Sequence, residues 1–135
     1  MNLTSRNVLV ADSKTLVSGF GLSKFKSLLR DEGHADGDRR LEWVAPELLS
    51  RAPPSPDVSP TQADVYSFGI ILWEILTREH PHGLTVRIAS GLQLPFPRHH
   101  DLPADYLPLI ASCCHFRPTE RPSFHELLLV LSRLL

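Results

Sequence analysis

A chain of 135 residues, 42% of them apolar, amounts to one domain with enough hydrophobic material for a core. Its 14 basic and 15 acidic side chains leave a net charge of -1 and are scattered, so no basic run marks a nucleic-acid surface. The longest apolar stretches, "GIILW" and "LLLVL", fall far short of the roughly 20 residues that a bilayer span needs, and no charged segment followed by an apolar one opens the chain. Composition thus points away from nucleic acid, a membrane span or a secretion signal.

In chain order, residues 8–10 ("VLV") and 15–18 ("TLVS") are short β-branched runs around "ADSK", which predicts a β-hairpin with a loop of about four residues. Residues 22–42 are polar and mixed and follow neither the helical nor the strand period. That is a long loop, and loops of this length are usually functional or disordered. "APELL" predicts a short helical turn, and "SRAPPSPDVSP", with four prolines in eleven residues, reads as a surface insertion.

The segment "TQADVYSFGIILWEILT" predicts a helix with apolar residues all round. Val65, Phe68, Leu72, Ile75 and Leu76 form one side, and Tyr66, Ile70, Ile71 and Trp73 fill the rest. Such a helix is expected to be buried on every side. Two amphipathic helices follow, around "PADYLPLIASCC" and "SFHELLLVLSRLL", the second opened by a capping box of Ser123 and Glu126. Cys113 and Cys114 are adjacent, so they read as free thiols of a reducing, cytoplasmic compartment rather than a disulfide or a metal pair. His80 and His82 flank a proline, His99 and His100 are neighbours in a loop, and all four read as solvated. The pattern Asn2-Leu3-Thr4 matches a glycosylation sequon, but with no secretion signal before it we discount it.

"LTSRNVLV", "GFGLSKF", "WVAPELL", "DVYSFGIILWEILT" and "RPTERPSF" occur in the order and spacing of the C-terminal lobe of eukaryotic protein kinases, which the chain resembles from Leu3 to Leu135. The resemblance implies a mainly α fold with a short β-hairpin at its N-terminal end, residues 19–47 as activation segment, and ATP and Mg²⁺ as cofactors. Arg6 before Asn7 resembles the tyrosine-kinase and tyrosine-kinase-like form of the catalytic loop, where serine/threonine kinases carry a lysine at the place of Thr4. A weaker resemblance goes to the kinase-homology regions of receptor guanylyl cyclases and to the pseudokinase domains of Janus kinases.

The resemblance assigns roles by position. In the loop "HRDLxxxN" the aspartate orients or accepts the substrate proton and the asparagine holds one Mg²⁺. Asn7 keeps the metal position, Asn2 stands for the aspartate and Met1 for the arginine. An asparagine cannot take a proton, and losing a positioned base costs about 10²–10⁴ in rate. In "DFG" the aspartate binds the Mg²⁺ that bridges the phosphates; here Gly19 stands there, followed by Phe20 and Gly21. Glycine offers a hard cation no side-chain oxygen.

No G-x-G-x-x-G and no V-A-x-K occurs in the chain, so the small lobe that would close a nucleotide cleft is absent from it, as is the helix expected to precede the catalytic loop. The chain reads as a fragment or as one half of an assembly, with a kinase small lobe or another kinase domain as the partner to expect. Glu47 and Arg121 match the family's buried ion pair. Asp64, by the same resemblance, opens the all-apolar helix and holds the backbone of the catalytic loop. Cys114 stands where the family has tryptophan, which predicts looser packing. Residues 22–46 contain no tyrosine or threonine, which leaves Ser23 and Ser27 as phosphosites with Arg39 and Arg40 as local cations.

Three functions follow from this reading. The first is a catalytically impaired kinase-like lobe that docks or regulates a protein partner. The second is a piece of an active protein kinase that phosphorylates protein Ser, Thr or Tyr. The third is the kinase-homology region of a receptor guanylyl cyclase.

Overall fold

The structure is a computed structural model that describes residues 3–19, 41–49, 59–96 and 104–135. Asn2, Phe20, Gly21, Ser23 and Ser27, most of the polar loop and the proline-rich insertion lie outside the described residues.

A 3₁₀ turn at Ser5–Asn7 leads into β1 (Val8–Ala11) and β2 (Lys14–Val17), followed by α1 (Pro46–Leu49), α2 (Pro60–Thr77), α3 (Leu84–Ala89), α4 (Tyr106–Cys113), a further 3₁₀ turn (Pro118–Glu120) and α5 (Phe124–Leu134). The fold is mainly α, with one antiparallel hairpin at the N-terminal end, as the sequence predicts. The hairpin loop is shorter than predicted. Ala11 pairs with Lys14, so Asp12 and Ser13 alone make the turn, with Asp12 at φ 52°. A backbone ladder on an exposed hairpin continues past the β-branched residues because pairing asks nothing of their side chains.

Ser59 caps α2 by accepting the Thr61 N–H, Pro60 occupies its first turn where a missing N–H is harmless, and Arg78 ends it at φ 56° with its N–H on the Glu74 carbonyl at 2.8 Å. Around this helix the core divides. Tyr66, Ile70, Ile71 and Trp73 pack with Trp43, Leu84, Ile88 and Ile110, whereas Val65 packs with Leu109, Cys113 and Leu127. The expectation of burial on every side fails at one stripe: Ile75 is 63% exposed, and Phe68, Leu72 and Leu76 are only partly buried. Among the described residues, the packed elements reach only part of the circumference of α2. Asp64 lies one turn inside the helix rather than at its start.

The expectation of loose packing at Cys114 also fails. A Cβ added to Gly69 of α2 would come within 2.6 Å of the Cys113 Cβ and 2.7 Å of the Cys114 sulfur, so the bare glycine admits the end of α4. Small residues on both sides replace bulk with proximity. Helix α3, "LTVRIA", has too short a pattern to be predicted from the sequence. The capping box of α5 forms: Ser123 Oγ accepts the Glu126 N–H at 3.2 Å and Glu126 Oε2 accepts the Ser123 N–H at 2.7 Å.

Candidate functional site

The hairpin joins the two loop positions assigned to magnesium. Val8 pairs with Val17, so Asn7 and Gly19 are brought to the same end of the ladder, where the Asn7 carbonyl accepts the Ser18 N–H at 2.7 Å and the Ser18 hydroxyl at 3.2 Å. Gly19 adopts φ 72°, and a Cβ built on it would meet Oδ1, Cγ and Nδ2 of Asn7 at 2.9–3.0 Å. The carboxamide of Asn7 therefore fills the space into which a side chain at residue 19 would project. Magnesium demands near-octahedral oxygen ligation and is usually held by one or two carboxylates. One amide oxygen beside a bare glycine does not meet that demand, so the described residues do not fit the ion. Arg6 is exposed next to this pair, and Asn2, Phe20 and Gly21 lie outside the described residues.

A second constellation is complete. Arg121, 3% exposed, gives two parallel hydrogen bonds to Glu47, Nη1 to Oε1 at 2.7 Å and Nη2 to Oε2 at 2.8 Å. Its other donors reach the carbonyls of His115 (2.8 Å), Gln62 (3.0 Å) and Phe116 (3.3 Å), and its guanidinium lies 5.1 Å from the centre of the Tyr66 ring. A guanidinium with every donor placed is the geometry under which a buried pair offsets its desolvation. The arrangement ties α1 to the start of α2 and to the 115–121 segment.

Glu74, which the sequence reading left without a role, accepts the Trp43 indole N–H at 2.7 Å and the Ser5 hydroxyl at 3.2 Å. Burial raises its carboxyl above the ordinary range, against the lowering effect of those two hydrogen bonds. It links the turn before β1 to the segment before α1. Burial likewise raises Asp64, and the residue makes no hydrogen bond or ion pair among the described residues. The Tyr66 hydroxyl donates to Thr85 Oγ1 at 3.2 Å, and Thr85 donates to the Glu42 carbonyl at 2.8 Å. This buried relay holds the backbone of Glu42, whose side chain faces His80 and His82. Both histidines are exposed, as expected of solvated ones, yet they converge on one carboxylate. A His-Pro-His sequence is a weak signal of this, because the partner lies about 40 residues away.

The family model described as "Protein tyrosine and serine/threonine kinase" matches residues 1–131. Among curated proteins, the chain is 40% identical over 148 residues to R831 of Acanthamoeba polyphaga mimivirus, which bears a serine/threonine-protein kinase/receptor name; the match covers 99% of this chain and 9% of that protein. It is 37% identical over 145 residues to the dual specificity protein kinase shkD of Dictyostelium discoideum, covering 99% of this chain and 18% of that one. It is 35% identical over 137 residues to the tyrosine-protein kinase receptor torso of Bombyx mori, covering 93% and 16%. The chain thus spans between 9% and 18% of the length of these relatives. With its motifs in order, a helical fold behind an N-terminal hairpin and a match over nearly its whole length, the chain belongs to the protein kinase family.

Proposed function

We propose that this chain is the C-terminal lobe of a protein kinase domain from the catalytic loop onward, of tyrosine-kinase-like character, impaired in phosphoryl transfer and acting as a docking or allosteric module for a protein partner. The observation that carries the reading is the Asn7–Gly19 contact. The position of the phosphate-bridging carboxylate is a glycine at φ 72°, and the carboxamide of Asn7 sits 2.9–3.0 Å from where its Cβ would be. Residue 19 supplies no side-chain oxygen, and as Asn7 now stands there is no room for one there. Asn2 at the position of the general base points the same way. The intact Glu47–Arg121 network supports a lobe built to hold shape.

The test is radiolabel transfer from MgATP to a generic peptide. The chain is expected to give none above a protein-free blank, and the restored variant Asn2→Asp/Gly19→Asp is expected to give none either, since it still lacks a small lobe. Transfer that Asn7→Ala abolishes would overturn the proposal.

A second reading is favoured by one observation: the relatives carry kinase names and are several times longer than the matched region. The chain would then be part of an active ATP-dependent kinase, and a longer native protein that transfers phosphate in the same assay would decide for it.

A further inference from the structure

We propose that Glu42, His80 and His82 form a binding site for a divalent transition-metal ion, zinc by ligand chemistry, that clips the segment before α1 to the turn after α2. Glu42 Oε1 lies 2.9 Å from His82 Nδ1, Glu42 Oε2 lies 3.4 Å from His80 Nδ1, and one ligand atom from each residue falls within 4.8 Å of the others. A zinc ion with bonds of about 2.0–2.2 Å to nitrogen and carboxylate oxygen sets its ligands about 3.3 Å apart. The two nitrogen–oxygen separations, one to each oxygen of the Glu42 carboxylate, bracket that value, and the exposed imidazoles can rotate to bring their nitrogens onto one ion.

Glu42 supplies an independent sign. Its side chain is only 10% exposed, and Oε2 accepts no hydrogen bond among the described residues. A buried carboxylate oxygen without a donor is costly, and an ion at the 3.4 Å gap gives it a ligand role. The histidines are delivered by their own backbone. Pro81 is buried with a restricted φ, and the His82 N–H donates to the His80 carbonyl at 2.7 Å, a γ-turn that sets the two flanking imidazoles toward one carboxylate. The proline between the two histidines thus preorganises the pair. On binding, the His82 proton that now bridges Nδ1 to Oε1 is exchanged through solvent to Nε2, so the ring stays neutral and the ion takes the Nδ1 position. The His82 side chain is 92% exposed, so at least one coordination position faces water.

Trp43 reports on the site, because its ring meets that of His80 edge-on at 5.7 Å. The full chain, stripped with chelator, is titrated with Co²⁺ alone while visible absorption and tryptophan emission are followed. One equivalent is expected to saturate both signals, Zn²⁺ is expected to reverse the quench, and Zn²⁺ is expected to raise Tm. His82→Ala changes a side chain that is 92% exposed and leaves the fold alone. It is expected to raise the Kd for Co²⁺ at least about tenfold, as is Glu42→Gln, whereas His99→Ala/His100→Ala leaves the Kd unchanged. Binding with no saturation at one equivalent, or a Kd indifferent to His82→Ala, would overturn the site. A Kd indifferent to Glu42→Gln would overturn the three-ligand geometry.

Discussion

The two ends of the Glu47–Arg121 network and the two strands of the hairpin are built on opposite principles. Around Arg121 every donor has an acceptor, and the guanidinium is 3% exposed. In the hairpin the backbone is paired, yet Leu9, Val10, Leu16 and Val17 are each at least 50% exposed. The helical part carries its own reasons to fold. The hairpin carries the Asn7–Gly19 pair and little that packs. The difference teaches that the frame is held from its C-terminal side, while the hairpin is held by its backbone ladder with its side chains largely exposed.

The largest expected effect falls on the first region. Arg121→Ala leaves Glu47 and three carbonyls without their donor and is expected to cost about 3–5 kcal/mol in urea denaturation. Glu47→Ala combined with Arg121→Ala should cost less than the sum of the single changes, because no charge is then left unpaired. Strict additivity would mean that the pair at 2.7 Å contributes no coupling and would remove the basis of the comparison.

Next comes the contact of α2 with the end of α4. Gly69→Ala places a methyl against Cys113 and Cys114 and is expected to lose about 1–3 kcal/mol by overpacking, read as a lower Tm. The thiols give a second readout of the same contact. Burial pushes the Cys113 thiol up to about 12, and the thiolate is the reactive form, so both cysteines are expected to resist alkylation at neutral pH until the chain unfolds. Gly69→Ala should speed that labelling; equal rates in both proteins would show that the contact is not tight.

A smaller effect belongs to the cap of α5. The Ser123 backbone N–H, then its hydroxyl, hold the Glu126 carboxylate below its ordinary 4.5. Because the folded value is depressed, the stabilisation is present above 4.5 and is lost as pH falls through the folded value. Stability measured against pH should therefore fall less steeply in Glu126→Gln than in the parent over that acid window, and identical slopes would deny the cap a role.

Much of this was legible in the residues, and the misses have physical causes. Once "VLV" and "TLVS" are paired, Asn7 and Gly19 must meet at the end of the ladder, so the candidate site follows from the hairpin even though its turn is two residues shorter than expected. Glu47 and Arg121 were legible by resemblance alone, since 74 residues separate them and no local pattern joins them. That part of the helix over residues 65–76 would stay uncovered was legible, but not that Ile75 would carry the exposure, because an apolar side chain states what it prefers and not what is available to cover it. Glu42, His80 and His82 were hidden for another reason: their convergence depends on a γ-turn and on the Tyr66–Thr85 relay, neither of which has a sequence period.

The smallest stability effect, and the sharpest form of the comparison, lies in the hairpin. Leu9 and Leu16 face each other across the ladder, Val10 pairs with Thr15, and all of these are exposed. Surface substitutions away from any buried feature change stability by about 0.5 kcal/mol or less. Leu9→Thr/Val10→Thr/Leu16→Thr keeps β propensity and removes the apolar surface, so it is expected to leave Tm nearly unchanged. The same variant should bind less hydrophobic dye and self-associate less than the parent, because an exposed apolar patch of this kind marks an interaction surface or an aggregation hazard. A coexpressed kinase small lobe with its adjoining helices should silence the dye in the parent in the same way. A large loss of stability in the variant would show that the hairpin packs as firmly as the Arg121 region, and a parent chain that is monomeric and dye-silent would show that those side chains need no cover.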